Sequence, residues 1–358
     1  MKLDLRSLNL EEMVIMLDNW GFPRFRAKQL FHWVHQKGVL RIEDMHNLPA
    51  HLQKILVESC AINLPRVITQ RQSQSGDTVK MLLKLDDDET IEAVLMKYHD
   101  RDFQRTRATI CISSQVGCVM GCAFCATGLS GFKRNLTVGE IISQIFATQQ
   151  LLGIKITNVV FMGMGEPLLN FDNVVKAIRL MNFEDGLNIG WRRITISTCG
   201  LVPEIYRLAE EDMPIVLAIS LHGATDAVRS SLMPVNDKYS LKKLMSACKD
   251  YTAKIGRRVT FEYALIKDVN DSENDAMMLG QLLTGLKCNV NLIPVNPVSE
   301  TGLTRPVTKR IQRFAAILSK MSIDVVVREE KGTDIDAACG QLRRKNVNVK
   351  SKVKRGKM

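Results

Sequence analysis

Four cysteines fall within fifteen positions in "CISSQVGCVMGCAFC", residues 111–125, of a chain that holds nine in all. Sulfur at that density serves a disulfide, a zinc site, an iron–sulfur cluster or a redox pair. Cys118, Cys122 and Cys125 form a C-x3-C-x2-C pattern on one short loop. Three thiolates so placed can hold three irons of a four-iron cluster and leave the fourth iron open to a chelating substrate, whereas a closed cluster takes four cysteines. Zinc is the main rival, with Cys111 as fourth ligand, although structural zinc sites favour two separated knuckles and no second knuckle is visible. Plain buried thiols are the third reading. A disulfide framework is the poorest: "MKLDLRSLNLEEM" has early acids and no apolar h-region, so a cytoplasmic chain with reduced thiols is expected.

Four further positions are ambiguous when each is read alone. In "FMGMGEPLLN" the glycines Gly163 and Gly165 permit close backbone approach. A phosphate cradle is a poor reading there, because Glu166 repels an anion, and the stretch by itself is only a turn. His222 in "SLHGA" reads first as a hydrogen-bonded structural histidine. Cys339 in "DIDAACGQL" reads first as an inert buried thiol. Glu92 in "TIEAVLM" reads first as a solvent-facing carboxylate on an alternating strand.

The elements that must position these residues follow from periodicity. Residues 1 to about 70 read as helices, with apolar steps of three and four closed by glycine. "TVKMLLKL" (78–85) and "TIEAVLMKY" (90–98) flank an acidic turn and predict a hairpin. From residue 106, β-branched runs at 108–113, 156–162, 193–198, 215–221, 259–266 and 289–295 alternate with helical stretches, and a seventh strand is expected at 323–329. One of those helices starts in a capping box, Thr137 with Glu140. Repeated strand and crossover predict a wound or barrel-like α/β domain with parallel pairing and its chemistry at the strands' carboxyl ends. The expected division is a helical domain over 1–75, a hairpin extension over 76–103, a core over 104–342 and a basic tail over 343–358.

A hydrophobic content of 46% and no apolar run near the ~18 residues of a membrane span exclude a membrane-spanning chain. The net charge of +11 is concentrated in the tail, whose eight Lys and Arg face no acid; without them 41 bases balance 38 acids. Such a tail suits a phosphate backbone, as do the "FKR" (132–134) and "WRR" (191–193) clusters and Arg24, Arg26 and Lys28 near a helix start. A nucleic-acid partner is therefore expected.

The cysteine pattern after a first core strand, with Phe124 before its last Cys, is similar to that of the radical S-adenosylmethionine enzymes. "CISSQVGC", "GFKRNLT", "FMGMGEPLLN", "STCGLVP", "SLHGA", "LMPVN", "NLIPVNP" and "GTDIDAACGQL" together resemble the RNA adenine methyltransferases of the RlmN/Cfr type. Those enzymes act on 23S ribosomal RNA and, in one branch, on transfer RNA. The likeness covers nearly the whole chain short of the tail. It implies a partial (β/α)6 TIM-like barrel holding one [4Fe-4S] cluster on Cys118, Cys122 and Cys125. It implies S-adenosylmethionine against Gly165, Glu166, Ser197, Ser220, Leu221, His222 and Asn296. Cys339 would take a methyl group from one S-adenosylmethionine; a second, reduced by the cluster, would yield the radical that draws a hydrogen from that methyl. The resulting S-methylene radical adds to adenine, Glu92 removes the ring proton, and Cys111 resolves the link as a Cys111–Cys339 disulfide.

The chemistry accounts for the detour, since an amidine carbon is electrophilic and cannot attack a sulfonium methyl. The target base has to be unstacked into the barrel mouth, which favours loop nucleotides. An electron donor such as flavodoxin or ferredoxin is implied. Carbon 2 of the adenine is the expected position, chiefly from "GMGEPLLN" with Pro167; carbon 8 is the alternative branch. A non-catalytic zinc-bound RNA-binding protein is the alternative from another class. No second cysteine trio is present, which disfavours a methylthiolating enzyme.

Overall fold

In the computed structural model the structure describes residues 2–99, 106–129, 131–296, 298, 300–329 and 331–342. The basic tail, 343–358, lies outside the described residues.

Ten strands form one sheet: β1 (Arg66–Gln72), β2 (Thr78–Lys84), β3 (Thr90–His99), β4 (Thr106–Cys111), β5 (Asn158–Phe161), β6 (Ile194–Thr198), β7 (Val216–Ser220), β8 (Val259–Leu265), β9 (Cys288–Pro294) and β10 (Asp324–Val327). Each strand lies beside its neighbours in the chain, from β1 at one edge to β10 at the other. The pairings from β1 to β4 are antiparallel, and those from β4 to β10 are parallel. This is the mixed α/β architecture expected of a partial barrel: the parallel half has helical crossovers, and among the described residues the sheet keeps two edges. Parallel strands covered on both faces read as unbroken apolar runs, and every residue of β8 is buried.

Two features differ from expectation. Arg66–Gln72 is a strand, within a stretch read as helical. Six of its seven side chains are exposed, so no apolar period marks it, and its pairing comes from the backbone of β2. The hairpin of β2 and β3 is also continuous with the core sheet, because β3 pairs with β4 along six register positions. The predicted hairpin thus forms one wall of the core.

The helical N-terminal segment contains α1 (Leu10–Asn19), α2 (Phe25–Phe31) and α3 (Ala50–Ser59). Asn9 and Glu12 cap α1 reciprocally, and Gly38 adopts φ +65° after the π turn that follows α2. Ahead of α1, the segment docks on the core helix α4 (Val138–Leu152). Ser7 Oγ accepts from the Gly139 N–H at 2.9 Å, and the buried Arg6 guanidinium stacks 4.2 Å from the Phe146 ring. The predicted Thr137 capping box opens α4, with both of its hydrogen bonds formed.

Candidate active site

The chain leaves β4 at Cys111 and forms a short ribbon, Gln115–Gly117 against Phe132–Asn135, that closes the cysteine loop at its base. Gly117 has φ +79°, and a Cβ there would fall 1.8 Å from the Gly131 carbonyl, so only glycine closes the ribbon. The Cys118 N–H donates to that carbonyl at 3.0 Å, and the Ala123 N–H donates to Leu232 at 2.9 Å. Pinned at both points, the loop places Cys118, Cys122 and Cys125 along one cleft. Gly163 and Gly165 form the adjoining wall. A Cβ on Gly163 would sit 2.6 Å from the Ile112 carbonyl, and one on Gly165 2.6 Å from Gln115, so both glycines let the two loops touch.

The carboxyl ends of β6 to β9 supply the rest of the cleft: Ser197, Ser220, His222 and Asn296 all line it. Ser197 and Ser220 hydroxyls stand 3.5 Å apart on neighbouring strands. Glu166 is buried, and its two oxygens accept from the Leu168 N–H (3.1 Å) and the Cys199 N–H (2.8 Å); burial raises its pKa. His222 takes φ +57°. Its Nδ1 accepts from the Ala264 N–H at 2.8 Å, which places the ring proton on Nε2. Burial, with Arg229 adding to it, lowers the His222 pKa to about 3, and the neutral ring meets Phe124 edge-on at 4.6 Å. Leu221 does not line the cleft: it is fully buried and donates its N–H to the Glu262 carbonyl at 2.9 Å.

A second cavity adjoins the first and is lined by Cys111, Val94, Met96, Tyr98 and Arg328. Cys339 lines both cavities. Its carbonyl accepts from Asn296 Nδ2 at 3.1 Å. The thiol is open to the cleft yet deep in the protein, so desolvation raises its pKa while the Arg328 guanidinium opposes the rise. Cys111 is pushed up to about 12, first by burial and then by the charge of Cys339. Val94 of β3 stands opposite Cys111, and Glu92 lies two residues along on the same face. Glu92 is 1% exposed, which removes the solvent-facing reading, and it is ion-paired with Lys80 at 3.0 Å.

Three buried charged residues had not been singled out from sequence. Arg229 donates to the Leu221 and Cys199 carbonyls and to Asn236 Oδ1, bracing the wall behind the cysteines. Glu262 accepts from Asn291 Nδ2 at 2.9 Å and lies 3.7 Å from Arg328, beside Cys339. Lys80 is the third. Glu262 and Lys80 had a visible signal, a charge set inside an apolar strand ("VTFEYAL" and "TVKMLLK").

The cysteine trio fits an iron–sulfur cluster. Burial pushes Cys118 up to about 12, and Cys122 rises further through burial and the charges of Cys125 and Cys118. Thiols so desolvated become thiolates only against a cationic centre, which metal coordination supplies. Among the described residues no three His, Cys, Asp or Glu side chains converge tightly enough for a single ion. Cys111 faces the other cavity, away from a fourth-ligand position on zinc.

Residues 112–279 match the model of the Radical SAM superfamily, and residues 3–62 match that of the ribosomal RNA large subunit methyltransferase N-terminal domain. A probable dual-specificity RNA methyltransferase RlmN of Clostridium acetobutylicum is 48% identical over 341 residues, covering 95% of this chain and 97% of the relative. Its counterpart from Desulfitobacterium hafniense is 49% identical over 348 residues, covering 96% and 97%. The crystal structure of a radical SAM methyltransferase from Sphaerobacter thermophilus superposes with a TM-score of 0.89 at 44% identity, over 95% of this chain and 99% of that one. On that fold, that cysteine loop and that extent of identity, the chain belongs to the RlmN family of the radical SAM superfamily.

Proposed function

We propose that this chain methylates carbon 2 of an adenosine in 23S ribosomal RNA, and of the adenosine 3′ to the anticodon in transfer RNA, in the cytoplasm. The observation that carries the reading is the position of Cys339, shared between the cysteine-lined cleft and the cavity that holds Cys111. Cys118, Cys122 and Cys125 would hold the [4Fe-4S] cluster, and Gly165, Glu166, Ser197, Ser220, His222 and Asn296 would hold S-adenosylmethionine, with Leu221 set behind them, its backbone bonded to Glu262 and Arg229. When bound, S-adenosylmethionine on the cluster would supply both the methyl group and the radical chemistry, with electrons from a carrier such as flavodoxin or ferredoxin, and the cluster would take back the one electron that leaves the ring along with its proton.

The chain's own residues do the rest. The Cys339 thiolate takes the methyl group and carries that carbon to the adenine, with Arg328 favouring the thiolate. Glu92 takes the ring proton. Cys111, as thiolate, then attacks the Cys339 sulfur. A sulfur–sulfur bond forms, and the sulfur–carbon bond breaks with its electron pair on carbon, which picks up a proton to become the new methyl group. An external dithiol returns the disulfide to two thiols. His222, held neutral with its proton on Nε2, offers the cleft a donor and no charge.

The test is nucleoside mass spectrometry after anaerobic reconstitution with S-adenosylmethionine, a reductant and unmodified 23S ribosomal RNA or transfer RNA. The expected product is 2-methyladenosine, absent when Cys339→Ala replaces the parent. Product at carbon 8 would keep the mechanism and overturn the position. Zinc without labile sulfide in the protein as purified, and no methylated nucleoside, would leave an RNA-binding protein.

A further inference from the structure

Lys80 is 5% exposed, sits in the middle of β2 opposite Val94, and reaches diagonally across the sheet to Glu92. Its Nζ lies 3.0 Å from Glu92 Oε2 and donates to the Asp336 carbonyl at 2.7 Å. Asp336 is three residues before Cys339, on the loop that crosses the second cavity. Two more straps join the turn between β1 and β2 to that loop: Lys331 pairs with Asp77, and the Gln74 N–H donates to Asp334 at 2.9 Å. Those straps do not touch Glu92. Lys80 alone among the three joins the carboxylate to the cysteine loop.

A buried ion pair adds little stability over well-packed apolar residues of the same size. A stability role therefore gives a poor account of a lysine inside an apolar strand, while a geometric role accounts for its contacts with Glu92 and Asp336. We propose that Lys80 is a positioning residue that sets Glu92 and the Cys339 loop at a fixed separation, so that the carboxylate meets the ring carbon while that carbon is joined to Cys339. This rests on the reading of Glu92 as the base given above. In the step concerned, the ring C–H proton passes to the Glu92 carboxylate, which becomes neutral; the C–H electron pair stays in the ring, and the one surplus electron left by radical addition would return to the cluster. Lys80 keeps its own protons and its bond to Asp336, so the loop does not drift as the ion pair is lost.

The inference predicts a division between half-reactions. Methyl transfer to Cys339 does not involve the ring proton that Glu92 takes, and Asn296 holds that residue through its carbonyl. Lys80→Met in the full chain should leave iron content and Cys339 methylation, read by protein mass spectrometry, within about twofold of the parent. Methyladenosine formation should fall about 100-fold, the scale of a displaced general base. Lys80→Arg should recover most of that loss, and Lys80→Gln, which keeps a donor for Asp336 without the charge, should recover less. In a Glu92→Gln background Lys80→Met should add less than about threefold, because both act on one step. Independent, multiplying losses would overturn the proposal, as would Cys339 methylation falling as far as methyladenosine in all three Lys80 variants. Should Lys80→Met fail to fold, Lys80→Gln and Lys80→Arg carry the same comparison. A parent protein that methylates neither Cys339 nor RNA would instead overturn the underlying function.

Discussion

Cys339 borders one cavity that suits a cofactor and another that holds Cys111, so the order of events in the proposed reaction is also an order in space. Replacing the resolving thiol separates its two ends. With Cys111→Ser, the hydroxyl is a far weaker nucleophile toward sulfur, and the RNA should remain covalently joined to Cys339. A denaturing gel with labelled RNA would show a protein–RNA band that the parent lacks; free methylated RNA at the parent's rate would rule Cys111 out as the resolving group. The cysteines were legible because their spacing along one loop is itself chemical information. Glu92 was not, because a period-two pattern separates faces only where one face meets water. Residues 90 to 95 of β3 are all buried, so the carboxylate's environment depends on Lys80 and on a loop some 240 positions away in the chain.

At the scale of elements, the parallel strands, their crossovers and the Thr137 capping box were readable because each carries a local signature. The strand at Arg66–Gln72 carries none; it exists because β2 offers an edge. The N-terminal segment holds a measurable consequence of its own packing. His35, in the turn after α2, is buried against the Phe31 ring at 4.4 Å, and its Nε2 lies 3.0 Å from the Leu8 carbonyl. Burial lowers its pKa from 6.5 to about 3, with Arg6 adding to the drop and the Leu8 hydrogen bond opposing it. Between those two values the unfolded chain binds a proton at this site and the folded chain does not, so the site's contribution to stability is full above pH 6.5 and is lost as pH falls. His35→Gln keeps a donor for Leu8 and removes the titration. Chemical denaturation between pH 7 and pH 4 should show a shallower loss in the variant, by up to about 1.4 kcal/mol per pH unit. Parallel curves for parent and variant would mean that His35 is not held neutral in the fold.

For the whole molecule, charge is the property that local structure does not explain. The 342 residues before the tail are nearly balanced, and the eight cations of residues 343–358 stand beyond the last motif shared with the family. A run of cations with no acid in its own sequence suits a polyanion, and each phosphate neutralised on single-stranded RNA contributes about 0.7 to the slope of log affinity against log salt. Eight cations therefore set an upper limit of about 6 on the tail's share of that slope. A chain ending at residue 342 should bind RNA more weakly at low salt, with a shallower slope, and should converge on the parent's affinity as salt rises. Iron content and melting temperature should not change, since the sheet, the cysteine loop and the Cys339 loop all precede the cut. An unchanged slope would move RNA capture to the folded surface, to clusters such as Arg24, Arg26 and Lys28, and charge reversal there would then reproduce the loss that truncation did not.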